Sequence, residues 1–145
     1  EVLKSMEYQF EKMKFRVNPR VPKRVPLIHA DRDAVAEAVI NLLSNAMKYC
    51  EKRRMIDVRL RRIGEKLAIE VKDRGIGIPE RELPNIFEKF YRVREGVASH
   101  AAGTGIGLAL VKHIMDAHGG EVRVQSVIGK GSVFTLLFPM KRIRP

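Results

Sequence analysis

The chain has 145 residues, 45% of them hydrophobic and 31% charged, which is the size and balance of one ordinary domain with a real core. No run approaches the roughly eighteen consecutive apolar residues needed to cross a bilayer, and EVLKSMEYQF is too charged for a signal peptide, so a cytoplasmic location is expected, with membrane attachment only through some upstream segment. The single cysteine, Cys50, excludes an internal disulfide and a thiolate metal cluster, while the net charge of +11, from 28 Lys and Arg against 17 Asp and Glu, favours anionic partners.

In chain order, Val2, Leu3, Met6, Phe10 and Met13 recur at spacings of three and four, which predicts an amphipathic helix over Glu1 to Phe15. FRV and LIHA read as short strands around the Pro-rich turn NPRVPKRVP. Asp31 is placed to cap a helix that carries Val35, Val39, Leu42, Leu43 and Met47 down to Tyr49. Two strands, Met55 to Ile63 and Leu67 to Lys72, form a hairpin across Gly64, Glu65 and Lys66. The loop DRGIGIP leads to a short helical piece, ERELPNIFEKF, and then to VREGVASHAAGTG, whose small residues and few apolar anchors predict a mobile lid. A helix from Leu108 to His118 ends at Gly119 and Gly120, and a last hairpin pairs EVRVQSV with SVFTLLFP across IGKG. The positive charge gathers in KMKFRVNPRVPKR, EKRRMIDVRLRR and MKRIRP, with neither aromatic interleaving nor any nucleic-acid motif, so no nucleic-acid partner is expected.

Three groups of residues carry chemistry. Asn41, Asn45, Lys48 and Tyr49 lie four, three and one apart on one helix and share a face. The amide oxygens could complete the oxygen shell of Mg²⁺, with phosphates and water supplying the rest, and Lys48 could neutralise phosphate charge; the plainer alternative is a solvated helix face. In DRGIGIP, Asp73 ends a predicted strand and could accept a hydrogen bond from an exocyclic amine such as adenine N6, while Gly75 and Gly77 allow positive φ and close backbone approach; the plainer alternative is a capped glycine turn. GTGIGLALVKHI enters a helix with backbone N–H groups suited to a phosphate chain. It lacks the preceding strand of a dinucleotide fingerprint and the Gly-Lys-Ser/Thr of a Walker A loop.

With these pieces in this order the chain closely resembles the catalytic ATP-binding domain of bacterial sensor histidine kinases, within the GHKL superfamily. NLLSNAMKY resembles the N box, DRGIGIP the first glycine box, IFEKFYRV the F box and GTGIGLALVKHIMDAHGG the second glycine box, so the likeness spans nearly the whole chain. The resemblance implies a Bergerat-type α/β two-layer sandwich, a mixed sheet covered on one face by helices, in a single domain over 1–145. It implies ATP and Mg²⁺ as ligands, with Asn41 and Asn45 on the metal, Lys48 on phosphate, and Tyr49 near the sugar or phosphates. Asp73 would read adenine, and Gly75 and Gly77 would shape the base pocket. Arg92 would approach the terminal phosphates, while Gly103, Thr104, Gly105, Gly107 and Leu108 would close the lid and cradle the phosphate chain. Ser132 or Thr135 would touch the base through water.

In ATP-hydrolysing relatives a glutamate stands where this chain has Asn41, and an amide accepts no proton at neutral pH, so the resemblance implies phosphoryl transfer rather than hydrolysis. None of His29, His100, His113 and His118 is followed by the acidic residue that opens the family's phosphoacceptor motif, and residues 1–145 themselves are expected to hold no dimerisation hairpin. The acceptor histidine is therefore expected on separate dimerisation helices, with a response regulator downstream. The competing reading is a regulatory binding module of the pseudokinase or anti-sigma type; the F box and the long lid favour the kinase.

Overall fold

The computed structural model describes residues 1–91 and 106–140. Its elements run α1 (Val2–Ser5), α2 (Glu7–Lys12), β1 (Arg16–Arg20), α3 (Arg32–Lys48), β2 (Arg53–Ile63), β3 (Lys66–Arg74), a 3-10 turn (Glu80–Asn85), α4 (Gly107–Ala117), β4 (Glu121–Val127) and β5 (Gly131–Pro139). The strands form one mixed sheet in the order β1-β2-β3-β5-β4, with β1 parallel to β2 and every other pair antiparallel. This is the α/β sandwich expected.

Alternation along the strands decides which face takes the helices. Ile56, Val58 and Leu60 on β2 stand opposite Asp73, Val71 and Ile69 on β3, and Val71 and Ile69 stand opposite Phe134 and Leu136 on β5. Side chains on a strand alternate faces, so these share one. That face packs against the buried stripe of α3, from Ala38 to Met47, and against Val111, Ile114 and Met115 of α4. The other face carries Asp57, Arg59, Glu70, Lys72, Thr135 and Arg123 in neighbouring register. Helices therefore cover one face, and charge lines the other.

Caps fix the helix ends that matter for the site. Asp31 Oδ1 accepts the N–H groups of Asp33 and Ala34 at 3.0 and 3.1 Å, satisfying orphan donors of α3 as predicted. At the far end of α4 the His118 ring ties the two helices together. Its Nδ1 lies 2.7 Å from the Ile114 carbonyl, its Nε2 accepts the Asp31 N–H at 3.0 Å, and its edge meets Phe138. The two ring contacts together assign the proton to Nδ1.

Three expectations need correction. The helix over Glu1 to Phe15 is interrupted at Met6, whose φ of −102° and ψ of 1° leave two short helices, and the chain leaves α2 through Lys14 at φ +58°. The apolar spacing still serves its purpose, because Met6 and Phe10 are both buried in the core. LIHA forms no strand: the β1 pairing ends at Arg20 opposite Arg59, and Ile28 packs on the core from an irregular segment. ERELPNIFEKF contains only a 3-10 turn, since Pro84 lies inside it and cannot donate to an α-helical ladder.

Candidate functional site

The site is built where β3 ends beside the C-terminal half of α3. Asp73 is the penultimate residue of β3 and points to the helix-covered face, where it is only 7% exposed. Its Oδ1 accepts the Gly75 N–H at 2.8 Å. Burial pushes its carboxyl above the usual range, against hydrogen bonds from the Gly75 and Ser132 backbone that favour the charged form. A carboxylate has about four acceptor sites, so two amides leave capacity for a ligand.

The loop after Asp73 is pressed against backbone on both sides. A Cβ at Gly75 would lie 2.3 Å from the Tyr49 carbonyl oxygen, and that same carbonyl accepts the Ile76 N–H at 3.1 Å. Gly77 has φ +75°, and a Cβ there would lie 2.3 Å from the Val127 carbonyl. The Ile78 N–H donates to Ser126 Oγ at 2.7 Å, and that hydroxyl is 2.8 Å from Ser132 Oγ. The Gly129 N–H in turn donates to the Ile76 carbonyl at 2.9 Å. The two glycines thus do what the motif requires: they let the loop seat against α3 and the β4–β5 turn.

Between this loop and α3 opens a small cleft. Of the residues singled out in the sequence, Asn45, Tyr49, Asp73, Gly77, Leu108 and Ser132 line it. Asn41 lies beyond the cleft wall, with its Nδ2 donating to the Glu37 carbonyl at 2.9 Å. Its Oδ1 is turned toward the start of α4, where a Cβ on Gly107 would lie 3.0 Å away. Lys48 is exposed and outside the lining, Gly75 sits behind the wall, and Gly107 borders Asn41 rather than the cleft. Thr135 is on the other face of the sheet, in register between Glu70 and Arg123. Arg92, Gly103, Thr104, Gly105 and the lid from Val93 to Thr104 lie outside the described residues.

Sequence reasoning missed the apolar walls. Ile76, Ile78, Ile86 and Phe134 line the cleft beside Tyr91, and they supply the hydrophobic surface that small-molecule sites need around a few polar groups. Ile76 and Ile78 alternate with the glycines of DRGIGIP; that alternation was the available signal.

The fold is shared by catalytic domains of histidine kinases. The mycobacterial sensor histidine kinase MprB superposes with a TM-score of 0.81 at 26% identity, covering 98% of this chain and 93% of that one. Full-length ShkA, in complex with AMPPNP, superposes with a TM-score of 0.81 at 27% identity, covering 95% of this chain and 28% of that one.

Residues 30–142 match the family described as histidine kinase-, DNA gyrase B- and HSP90-like ATPase, and the chain belongs to it. Curated relatives include the circadian input-output histidine kinase CikA of Synechococcus elongatus, 40% identical over 80% of this chain and 15% of that protein. The sensor histidine kinase WalK of Bacillus subtilis is 36% identical over 83% of this chain and 20% of that protein. The chain corresponds to the catalytic ATP-binding part of such kinases and spans well under half the length of these relatives. No helix among the described residues is long and apolar enough to cross a membrane.

Proposed function

We propose that the chain acts as one catalytic domain that binds Mg–ATP and donates the γ-phosphate to a histidine on the dimerisation helices of a two-component kinase, from which it passes to a response regulator. The observation that carries this reading is Asp73, a buried carboxylate with spare acceptor capacity facing an apolar cleft. It suits the exocyclic amine of adenine, and the flat apolar walls of Ile76, Ile78 and Phe134 suit the base plane. A relative of the same fold is described in complex with AMPPNP.

From the base, the phosphates would run along Asn45 and Tyr49 toward Asn41 and the start of α4, where the N–H groups of a helix start favour negative charge. Among the described residues no cluster of three His, Cys, Asp or Glu side chains is arranged to hold a metal. The donors on α3 are neutral carboxamides, which fit a hard cation brought in by phosphate: Asn41 and Asn45 would hold Mg²⁺, which when bound neutralises charge on the transferring phosphoryl group. Lys48 would add a cation at the mouth, and Arg92, Gly103, Thr104, Gly105 and Leu108 would complete the phosphate cradle. Asn41 cannot take a proton from water at neutral pH, so it would bind without promoting hydrolysis. The partner histidine would receive the phosphoryl group instead.

Calorimetric titration with AMPPNP and with a guanine analogue, each with and without Mg²⁺, tests the binding half. Preference for adenine and tighter binding with Mg²⁺ are expected; equal binding of both bases would remove the role of Asp73. Transfer of labelled γ-phosphate from ATP onto added histidine-bearing dimerisation helices tests the rest, with no label expected on this chain itself.

A further inference from the structure

The opposite end of the sheet holds a second groove that the nucleotide reading leaves unused. Arg20, Arg24, Arg59, Arg61 and Arg62 line it, six residues along β3 from Asp73 at the level of Leu67. At ~3.3 Å per residue the two sites are about 20 Å apart. Val21, Pro22, Leu60 and Leu67 give the groove apolar surface between the arginines.

Three features identify what would fill it. First, Arg20 and Arg59 are direct register partners on β1 and β2, and like charges side by side in a sheet repel unless an anion lies between them. The carboxylates of the open face are already engaged: Glu70, opposite Arg59, is bound by Arg61, and Asp57 is bound by Arg74 and Asn18. Among the described residues, Arg20, Arg24 and Arg59 make no side-chain hydrogen bond or ion pair. Second, β2 runs on from Leu60 to Ile63 after its pairing with β1 has ended at Arg59. Four consecutive β2 residues, Arg59 to Arg62, line the groove; side chains alternate faces, so it is the strand edge, with its row of backbone groups, that faces the opening. Third, the facing wall includes Pro22 and Pro26, which have no N–H to offer that edge.

We propose that this groove is a docking site for an extended acidic protein segment, which adds to the free edge of β2 with its carboxylates on Arg20, Arg24 and Arg59 and its alternate apolar side chains against Leu60 and Leu67. Charge alone would serve any polyanion. The strand edge distinguishes the occupant, since only a polypeptide backbone matches its spacing of donors and acceptors. Among the described residues, no aromatic side chain lines the groove to stack nucleic-acid bases.

The test is fluorescence anisotropy of the 145-residue chain with a labelled Glu-Val-Glu-Val-Glu-Val-Glu peptide, alongside phosphatidylglycerol vesicles and single-stranded poly(U). Saturable peptide binding is expected, undisturbed by AMPPNP, and weakened about tenfold or more by Arg20→Glu and by Arg24→Glu. Arg20→Glu leaves a carboxylate beside Arg59, so its melting temperature is expected to hold or rise, which separates lost binding from lost fold. A peptide N-methylated on alternate residues keeps its charge and blocks one edge, and is expected to bind much more weakly. Equal binding of the methylated peptide, tighter binding of vesicles or poly(U), or no peptide binding at all would each overturn the proposal, the last leaving the arginines as guards of an edge strand. Failure here leaves AMPPNP binding in the other cleft unaffected, so the two readings stand or fall separately.

Discussion

The two ends of the sheet are made from the same strands and present opposite chemistry. At the Asp73 end the cleft lining includes isoleucines, Phe134 and one buried carboxylate, beside a loop whose glycines seat it against neighbouring backbone. At the Leu67 end they are exposed arginines around a strand edge. A buried carboxylate discriminates, because a ligand that fails to pair with it leaves it unsatisfied at a cost of ~1–3 kcal/mol. Exposed cations in high dielectric attract anions broadly and lose strength as salt rises. Selectivity therefore belongs to the first end, and speed of encounter to the second.

The largest effects should come from the backbone contacts of the first end. Ala at Gly75 or Gly77 puts a methyl 2.3 Å from a carbonyl oxygen of Tyr49 or Val127, and Gly77 also needs positive φ. Overpacking and strain together should cost about 3 kcal/mol or more, read as a fall in melting temperature even without nucleotide. A Gly77→Ala chain as stable as the parent would dissolve the account of how the loop is held.

Asp73→Asn should weaken AMPPNP binding at least about tenfold, near 1.4 kcal/mol, while stability at neutral pH holds or rises. The sign follows from burial, which raises the folded-state pKa of Asp73 above its ordinary 3.8. The folded state then binds more protons than the unfolded one just above that pH, and the parent loses stability as pH climbs through the window. Asn carries no such charge, so the parent-minus-variant difference in unfolding free energy should fall as pH rises from acid toward neutral. A flat difference would mean that Asp73 is solvated.

Gly107→Ala should be milder. The methyl would meet only the end of the flexible Asn41 side chain at 3.0 Å, so the carboxamide is expected to move and the fold to survive within about 1 kcal/mol. Nucleotide affinity should fall about threefold, ~0.7 kcal/mol, with most of the loss appearing only when Mg²⁺ is present. An equal loss with and without the ion would detach Asn41 from the metal. At the other end Arg20→Glu should change stability least, within about 0.5 kcal/mol, checked by urea unfolding.

Much of this was legible in the sequence, for identifiable reasons. Asp31 is a good acceptor one residue before a long 3.6-residue pattern, and it caps α3. The glycines of DRGIGIP announced close backbone approach, and their neighbours are carbonyls. What was not legible depends on long-range pairing. Spacing alone could not show that Met6 breaks the first helix, because propensity sets no boundary that packing cannot move. LIHA has strand-like composition, yet it pairs with no strand, and the prolines upstream offer no donor to an edge. Thr135 and Ser132 looked equivalent in SVFTLLFP until register placed them on opposite faces. The apolar walls around Asp73 come from three separated segments, at Ile76 and Ile78, at Ile86 and at Phe134, a juxtaposition that only the fold creates.

The His118 ring described above has both nitrogens occupied by groups from different places, the Ile114 carbonyl of α4 and the N–H of Asp31 at the cap of α3. An acylating reagent such as diethyl pyrocarbonate needs a free ring nitrogen, so modification of His118 requires Nε2 to leave Asp31, and hence the two helices to part locally. The labelling rate of this one residue, followed by mass spectrometry, therefore reports how often the cap of α3 comes away from the C-terminal end of α4.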